Sequence, residues 1–340
     1  MNSQLVSRMS RAFAFLLLIA TAFTTARAEK VSLVAGGASN GDGKTAIGAK
    51  LDRPFAVAFD KAGNMYIGEY QGQHVKKLDP AGVLTTIAGT GEKGFAGNGG
   101  PATACKFNCI HDLVLGPDGD LYIADSFNQR VRKLDLKTGI ITTFAGTGVA
   151  KTATGDGGPA DKAALDGVAS LWFDASGKTL YIAGFSKIIR TIDMKTRVIN
   201  TLADVPGGRS IALDSKDNLY IASGQTLRVR SPDGKVRVLL DKTHTGGAAL
   251  PLGADAKHLG IDANDNVWIC DEQHCLIREY LPSTGKLVTI AGNGKPGTAG
   301  IGGPPAALQV NRPHGIYFQP STGLIFIADS MNDRVLKIEP

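Results

Sequence analysis

The sequence predicts an all-β fold in which six copies of one unit close into a ring, and three observations lead to that prediction. The first is a repeat, seen in RPFAVAFDKAGNMYIGEYQGQHVKKLDPAGVLTTIAG and again in CIHDLVLGPDGDLYIADSFNQRVRKLDLKTGIITTFAG. The second is that each copy holds four short runs of β-branched, aromatic and other apolar residues, separated by Gly, Asp and Asn turns. The third is an isolated run near the N-terminus, VSLVAGG, which matches the fourth run of the other copies.

Six units are recognisable along the chain. They begin at Arg53, Cys109, Val168, Gly208, Lys257 and Arg312. Four antiparallel strands repeated six times is the pattern of a six-bladed β-propeller. The last unit stops after its third strand, so we expect residues 31–37 to supply the fourth strand of blade six. That pairing would close the ring and remove exposed sheet edges.

The first 28 residues have the composition of a signal peptide rather than of a strand repeat. Arg8 and Arg11 precede an apolar run at residues 12–23, and Ala26-Arg27-Ala28 is typical of a cleavage site. The apolar run is short for a membrane span. We therefore expect export to the periplasm or the medium, and one propeller domain over residues 29–340.

The charge balance argues against nucleic-acid binding. The formal net charge of the whole chain is +6, and removal of the three arginines of the leader leaves +3. So small a charge, on an exported protein, does not indicate a polyanionic partner. We expect a protein, a peptide or a small molecule as the ligand, no membrane span, and a monomer.

The cysteines occur as two close pairs, Cys105 with Cys109 and Cys270 with Cys275. An even number of cysteines in an exported chain favours disulfides, and four cysteines allow three pairings. We expect the two local pairings, each of which would pin local geometry more than it stabilises the whole fold. Metal binding by these cysteines is the alternative.

The first strand of each propeller blade lines the central channel, and its start lies on the same face as the turn between strands two and three. Just before strand one the six units carry Phe55, His111, Ala169, Arg209, Lys257 and His314, followed by Ala56, Asp112, Ser170, Ser210, His258 and Gly315. The second strands end in Glu69, Asp125, Gly184, Ser223, Asp271 and Asp329. We expect a ligand-binding rim around this channel mouth, made of His111, Asp112, His258, His314, Glu69, Asp125, Asp271 and Asp329.

Imidazole and carboxylate groups bind zinc and related metals, and they also act as acids and bases. The candidate metal ligands are His111, His258 and His314, and the candidate ions are zinc and calcium. The candidate catalytic groups are Arg209, Glu69 and Asp271.

Two of the strand-two acids carry a signal for a structural role. Asp125 and Asp329 are followed five residues later by Arg130 and Arg334, which predicts an ion pair that holds each turn. The other two acids of this set, at the ends of strand two in blades one and five, lack the matching arginine. We therefore expect those two to be freer to contact a ligand.

Two motifs resemble the NHL repeat: YIADSFNQRVRKLD at residues 122–135 and FIADSMNDRVLKIE at residues 326–339. The connector GNGGPATA at residues 97–104 also resembles those of NHL proteins. The resemblance covers essentially all of the chain after the leader and implies a six-bladed propeller. NHL propellers include protein-binding ectodomains, RNA-binding domains and enzymes, so the fold alone does not decide the activity.

A second, more distant resemblance concerns the histidines. RPHGIYF at residues 312–318 and CIHDLVL at residues 109–115 resemble motifs of the peptidylglycine amidating lyase propeller, in which histidines at strand-one starts hold a zinc. This resemblance implies His111 and His314 as zinc ligands, while Arg209 stands where a third histidine is expected. The first functional prediction is a binding module that uses the channel-mouth face. The alternative is a metal-dependent lyase or hydrolase, amidating-lyase-like or lactonase-like, whose metal would polarise a carbonyl or activate water.

The segment AGTGEKG, at residues 88–94, contains the G-x-G-x-x-G spacing of a dinucleotide-binding turn. Sister segments, AGTGVAK and AGNGKPG, follow the fourth strands of other units, and none opens a long apolar-periodic helix. We therefore interpret these glycines as turns with positive φ between blades rather than as a nucleotide site.

Overall fold

The computed structural model describes residues 30–37, 45–149, 153–186, 188–203, 205–254, 256–319 and 321–339. The expected signal peptide, residues 1–28, lies outside the described residues. The described part forms strands β1 to β26 and short 3₁₀ turns at Ala102–Ala104, Ser126–Asn128, Ala160–Lys162, Pro305–Ala307 and Ser330–Asn332. None of these helical turns is long and apolar enough to cross a membrane.

The strands of the described residues form six small antiparallel sheets, one for each predicted blade. Blade one holds β2 (Pro54–Phe59), β3 (Met65–Glu69), β4 (Val75–Leu78) and β5 (Leu84–Ala88). Blade two holds β7 (Ile110–Leu115), β8 (Leu121–Asp125), β9 (Arg130–Leu134) and β10 (Ile140–Ala145), with β6 (Gly100–Pro101) on its outer edge. Blade three holds β12 (Val168–Phe173), β13 (Thr179–Gly184), β14 (Ile189–Asp193) and β15 (Val198–Thr201), with β11 (Gly158–Pro159) on its outer edge.

The remaining three blades repeat this order. Blade four holds β16 (Ser210–Leu213), β17 (Leu219–Ser223), β18 (Thr226–Arg230) and β19 (Val236–Leu240). Blade five holds β20 (Ala256–Ile261), β21 (Val267–Asp271), β22 (Leu276–Leu281) and β23 (Lys286–Ala291). Blade six holds β24 (Gly315–Gln319), β25 (Leu324–Asp329), β26 (Arg334–Glu339) and β1 (Lys30–Gly36).

The ring closes as the sequence predicts, through the N-terminal strand. β1 pairs antiparallel with β26, from Lys30 opposite Glu339 to Gly36 opposite Arg334. The innermost strands, β2, β7, β12, β16, β20 and β24, contact one another in a closed cycle around the central channel. The all-β, six-bladed prediction is therefore confirmed.

The core lies between the blades rather than inside any one of them. Among the described residues, each pair of adjacent blades encloses one cluster of buried apolar side chains. Phe107, for example, fills the space between blades one and two, and Phe144 that between blades two and three. Burial of one such side chain contributes about 1.5–3 kcal/mol, so these interfaces hold the blades in fixed positions around the channel.

The glycines of the AGTGEKG family form turns of one kind. Gly89 has φ 92°, and its counterpart Gly146 has φ 94°. A Cβ at Gly89 would overlap the carbonyl oxygen of Gln73, and a Cβ at Gly146 would overlap that of Gln129. The left-handed backbone and the close approach both require glycine, so the turn interpretation is confirmed at these positions.

All four cysteines are free and buried, which corrects the disulfide prediction. Cys105 packs with Phe107 in the cluster between blades one and two. Cys109, at φ 63°, instead places its thiol against the hydroxyl of Tyr70. Cys270 belongs to the core between blades five and six. Cys105 and Cys109 thus have different surroundings, whereas Cys270 and Cys275 share the core between blades five and six and are nevertheless free thiols.

Candidate functional site

The mouth of the channel is a small recess of about 200 Å³. Its lining comprises Arg53, Phe55, Tyr70, His111, Arg209, Lys257, Glu272, Arg312, His314, Ser330 and Met331. The predicted strand-one positions of blades one, two, four, five and six therefore do converge on one mouth. The other lining residues come from the turns that flank those strands.

Local backbone irregularities aim the strand-one side chains at the channel. The pairing of β2 with β3 shifts register at Phe55, and the pairing of β7 with β8 shifts at His111 and Asp112. The pairing of β20 with β21 shifts at Lys257 and His258. Such bulges bend a strand and redirect its side chains, which explains why these particular residues leave the sheet faces.

A stack of three rings forms the floor of the recess. The ring of Phe55 lies between those of His314 and Tyr70, with centroid distances of 3.6 Å and 4.2 Å. The imidazole of His111 meets the stack edge-on, 5.5 Å from Phe55 and 5.7 Å from His314. We call the three stacked rings of His314, Phe55 and Tyr70 the aromatic platform, and the imidazole of His111 lies edge-on beside it.

Both mouth histidines are buried as neutral rings. Burial, with the nearby Arg209 guanidinium, lowers the pKa of His111 to about 3. The same two causes hold the pKa of His314 well below its usual value. The Nδ1 atom of His314 makes no hydrogen bond to the described residues. At neutral pH these rings carry no charge and remain available as hydrogen-bonding groups.

The charge of the recess is positive. Arg53, Arg209, Lys257 and Arg312 line it, against one carboxylate, Glu272. The ammonium group of Lys257 lies 3.1 Å from Glu272, and the Nε of Arg312 also donates to that carboxylate. One guanidinium nitrogen of Arg209 lies 3.4 Å from Nε2 of His314. Glu272 thus offsets part of the charge, and the recess as a whole favours anions.

Four acids that end second strands, which the sequence places on the rim, are buried structural groups outside the recess. Each accepts a backbone N–H from the segment that precedes strand one. These bonds run from Asp52 to Glu69 (3.0 Å), from Asn108 to Asp125 (2.8 Å), from Gly253 to Asp271 (3.3 Å) and from Asn311 to Asp329 (2.7 Å). The acids therefore hold the loops that carry the mouth residues.

Of the two ion pairs that the sequence predicts for these acids, the structure contains one. Arg334 donates to Asp329 at 2.6 Å, as predicted. Asp125 pairs instead with Arg132, at 3.4 Å, while Arg130 turns outward to the carbonyl oxygens of Asn128 and Thr147.

The expectation that the other two acids are freer is wrong. Asp271 is bound by Arg278 at 3.3 Å and by His274 at 3.0 Å. Glu69 is bound by His74 at 3.1 Å. In blades two and five the arginine lies seven residues after the acid. It is the third residue of the blade's third strand, and from there it reaches the carboxylate.

Asp112 and His258 lie deeper in the channel than the recess. Asp112 accepts backbone N–H groups from Leu113 and Leu171, both at 2.8 Å, and so links blades two and three. Its carboxylate lies 3.5 Å from Nε2 of His258. Both residues are buried and line a separate cavity below the aromatic platform.

The candidate metal ligands do not assemble a metal centre. Zinc sites need three or four ligands at about 2.0–2.3 Å from one ion. His258 lies with Asp112 in the lower cavity, apart from His111 and His314 in the recess. In the described part of the chain, no group of three His, Cys, Asp or Glu side chains is placed to hold an ion. These residues therefore do not fit the predicted zinc or calcium.

Sequence reasoning missed several recess residues: Arg53, Tyr70, Glu272, Arg312 and Met331. Tyr70 and Glu272 each follow a strand-two acid directly, a position that the alignment of the units could have included. Arg53 and Arg312 precede prolines and adopt left-handed backbone, with φ 51° and φ 48°. That conformation turns both side chains toward the mouth, and no residue pattern of the repeat signals it.

Comparison with known proteins agrees with the fold. The NHL repeat family model matches residues 107–134. The chain is 25% identical over 301 residues to Protein SUPPRESSOR OF QUENCHING 1, chloroplastic, of Arabidopsis thaliana, a match that covers 75% of this chain and 27% of that protein. It is 33% identical over 101 residues to NHL repeat-containing protein 2 of Homo sapiens, which covers 29% of this chain and 14% of that protein.

Solved structures share the architecture. An auxiliary nutrient binding protein from Bacteroides thetaiotaomicron superposes with a TM-score of 0.67 at 14% identity, and the match covers 92% of this chain and 76% of that one. At such low identity the superposition concerns the fold alone. The repeat match, the homologous NHL proteins and the six-sheet ring agree with one another. The chain is a six-bladed β-propeller whose residues 107–134 match the NHL repeat, and it is similar to NHL-repeat proteins.

Proposed function

We propose that this protein is an exported binding module whose channel-mouth recess takes a small anionic ligand with a flat apolar face. The observation that carries the proposal is the recess itself, where four cationic side chains and one carboxylate surround an aromatic platform. Charge-assisted hydrogen bonds from arginine and lysine suit a carboxylate or phosphate. The rings of Phe55 and Tyr70 are partly exposed and suit contact with a flat apolar ring.

Exposed apolar side chains beside the recess support the same ligand chemistry. Phe127 and Phe185 stack on each other at 5.8 Å and each contacts the edge of His111. Phe127, Phe185 and Met331 are 46%, 36% and 40% exposed. Exposed apolar groups next to a polar recess are typical of binding surfaces. A ligand with an anionic head in the recess would place its apolar part against them.

Two further observations favour a binding role after export. The leader at residues 1–28 has the three parts of a signal peptide. The structural neighbours include a protein described as an auxiliary nutrient binding protein. A propeller that binds a small ligand outside the cytoplasm is consistent with both.

The proposal is tested with three probes of one shape and different charge: benzoate, benzyl alcohol and benzylammonium. We expect calorimetric competition against benzoate, which reports on the recess alone, to give the order benzoate first, benzyl alcohol second and benzylammonium last. Arg209→Gln removes one charge-assisted contact, which typically contributes about 1.5–3 kcal/mol, so benzoate should bind roughly 10- to 100-fold more weakly. Lys137→Gln, at the exposed turn between β9 and β10 and away from the recess lining, is the matched control and should bind benzoate like the wild type. Equal affinity for benzoate in Arg209→Gln and the wild type would overturn the assignment.

A metal-dependent lyase or hydrolase is the second candidate, and one observation favours it. The neutral imidazoles of His111 and His314 lie with their centroids 5.7 Å apart at the mouth, and neutral imidazole is the form that binds metal. Because no third His, Cys, Asp or Glu among the described residues joins them, we expect purified protein to contain no stoichiometric zinc or calcium by mass spectrometry. Stoichiometric metal that is lost in a His111→Ala, His314→Ala double variant would contradict this expectation and favour the enzyme.

A further inference from the structure

A second cavity, of about 320 Å³, occupies the opposite end of the channel from the recess. It is lined by the later residues of five inner strands, at Val57–Phe59, Leu113–Leu115, Leu171–Phe173, Gly260–Ile261 and Ile316–Phe318. The recess is built at the starts of inner strands, and all of them run in the same direction through the ring. The two spaces therefore open toward opposite faces, with the platform of Phe55 and His314 between them.

The walls of this lower cavity are aromatic. Phe59, Trp172, Phe173, Tyr317 and Phe318 line it, and each of the five is only partly buried. The hydroxyl of Tyr317 donates to the carbonyl oxygen of Phe55, which fixes its ring toward the cavity side of the platform. Each of the five also packs against an inter-blade cluster, and the part of each side chain that stays exposed lines the cavity. A cavity with this much aromatic lining suits a small ligand.

The polar groups of the lower cavity are acceptors. Asp112 is the one carboxylate among its lining residues, and no lysine or arginine lines it. Nε2 of His258 lies 3.5 Å from Oδ1 of Asp112, which favours the tautomer with the proton on Nε2. Nδ1 of His258 then carries a lone pair, and it makes no hydrogen bond to the described residues although the side chain is buried. An unsatisfied buried acceptor of this kind calls for a partner that donates a hydrogen bond.

We propose that the lower cavity is a second binding site, for a small organic ammonium cation. The face of an aromatic ring attracts a cation through the ring quadrupole, and the attraction is larger when the site excludes water. Among the aromatic side chains, tryptophan attracts a cation most strongly. The charge of Asp112 adds to that attraction, and an ammonium N–H would satisfy Nδ1 of His258. This ligand is opposite in charge to the one proposed for the recess, so the two sites differ in chemistry as well as in place.

The two tryptophans of the chain provide the test. Trp172 lines the lower cavity, whereas Trp268 belongs to the core between blades five and six. In a Trp268→Phe variant all tryptophan emission comes from Trp172. We expect benzylammonium to change this emission saturably and to bind at least 10-fold more tightly than benzyl alcohol of the same shape. Benzoate should leave the emission unchanged.

Variants separate the contributions of charge and ring. Asp112→Asn should weaken benzylammonium binding by at least 10-fold while calorimetry still detects benzoate at the recess. Asp112→Asn also loses one carboxylate oxygen that accepts a backbone N–H, and this loss could unfold the variant. In that case Trp172→Leu is used instead, and calorimetry should show benzylammonium binding weakened to a similar extent. The proposal is overturned if benzylammonium leaves Trp172 emission unchanged, or if benzylammonium and benzyl alcohol bind equally. Benzoate reports on the recess and benzylammonium on the lower cavity. If one of the two ligands does not bind, the measurement with the other still tests its own site.

Discussion

The free energy of unfolding should fall by about 4 kcal/mol between pH 7.5 and pH 5 because of two histidines alone. His111 and His314 are neutral in the fold, and burial holds the pKa of His111 at about 3 and that of His314 well below normal. In the unfolded chain both rings take up protons below about pH 6.5, so the unfolded state gains stability as the pH falls. Each histidine contributes about 2 kcal/mol over this interval.

Variants isolate this contribution from the other titrating groups. Burial raises the pKa of Asp125 to about 6 and also raises that of Asp329. A raised carboxyl pKa favours the folded state as the pH falls, so these two acids oppose the histidine effect in the wild type. The control is the double variant that carries both His111→Gln and His314→Gln, compared with the wild type by denaturant unfolding. Between pH 7.5 and pH 5, the free energy of unfolding of the wild type should fall by about 4 kcal/mol more than that of the double variant. Parallel pH profiles for the two proteins would show that the histidines are not buried as neutral rings.

Arg132→Met should lower the free energy of unfolding by about 3–5 kcal/mol. Arg132 is fully buried and faces the fully buried carboxylate of Asp125 at 3.4 Å. Removal of the arginine leaves Asp125 without its cation in the core between blades one and two. The carboxylate keeps its bonds from Asn108 and Asn128, which cannot replace a positive charge.

A second substitution and a matched position sharpen this test. Arg132→Met combined with Asp125→Asn removes both charges, so at least half of the lost stability should return. Arg228 lies at the equivalent position of blade four, opposite Ile221 as Arg132 lies opposite Ile123, but there strand two ends in Ser223. Arg228→Met should therefore change stability by less than about 1 kcal/mol. Equal losses at Arg132 and Arg228 would contradict a specific buried pair.

Most of the fold was predictable because one unit recurs and each copy shows the same strand and turn signals. The closing strand followed from counting strands, and β1 does pair with β26. The ion pairs were harder to predict from the sequence, because the direction of a side chain depends on which residues pack beside it in the fold. Blade six has Leu336 where blade two has Arg132, so Arg334 is free to reach Asp329, whereas Arg130 is displaced outward.

The candidate site was predictable in part for a related reason. Phe55, His111, Arg209, Lys257 and His314 occupy the mouth because strand-one starts meet there in any propeller. Bulges then divide neighbouring residues between two spaces, with His111 in the recess and Asp112 in the lower cavity. A shift of one residue along a strand decides which space a side chain enters, and the sequence pattern does not report bulges.

The central claim is that the recess above Phe55 takes an anionic ring. The most direct measurement is a crystal structure of the protein with 4-bromobenzoate, in which the bromine marks the ligand by anomalous scattering. We expect the carboxylate within hydrogen-bond distance of Arg209 or Lys257 and the ring in contact with the exposed part of Tyr70 or Phe55. Bromine density in the lower cavity or elsewhere on the surface, with none in the recess at a saturating concentration, would contradict the account.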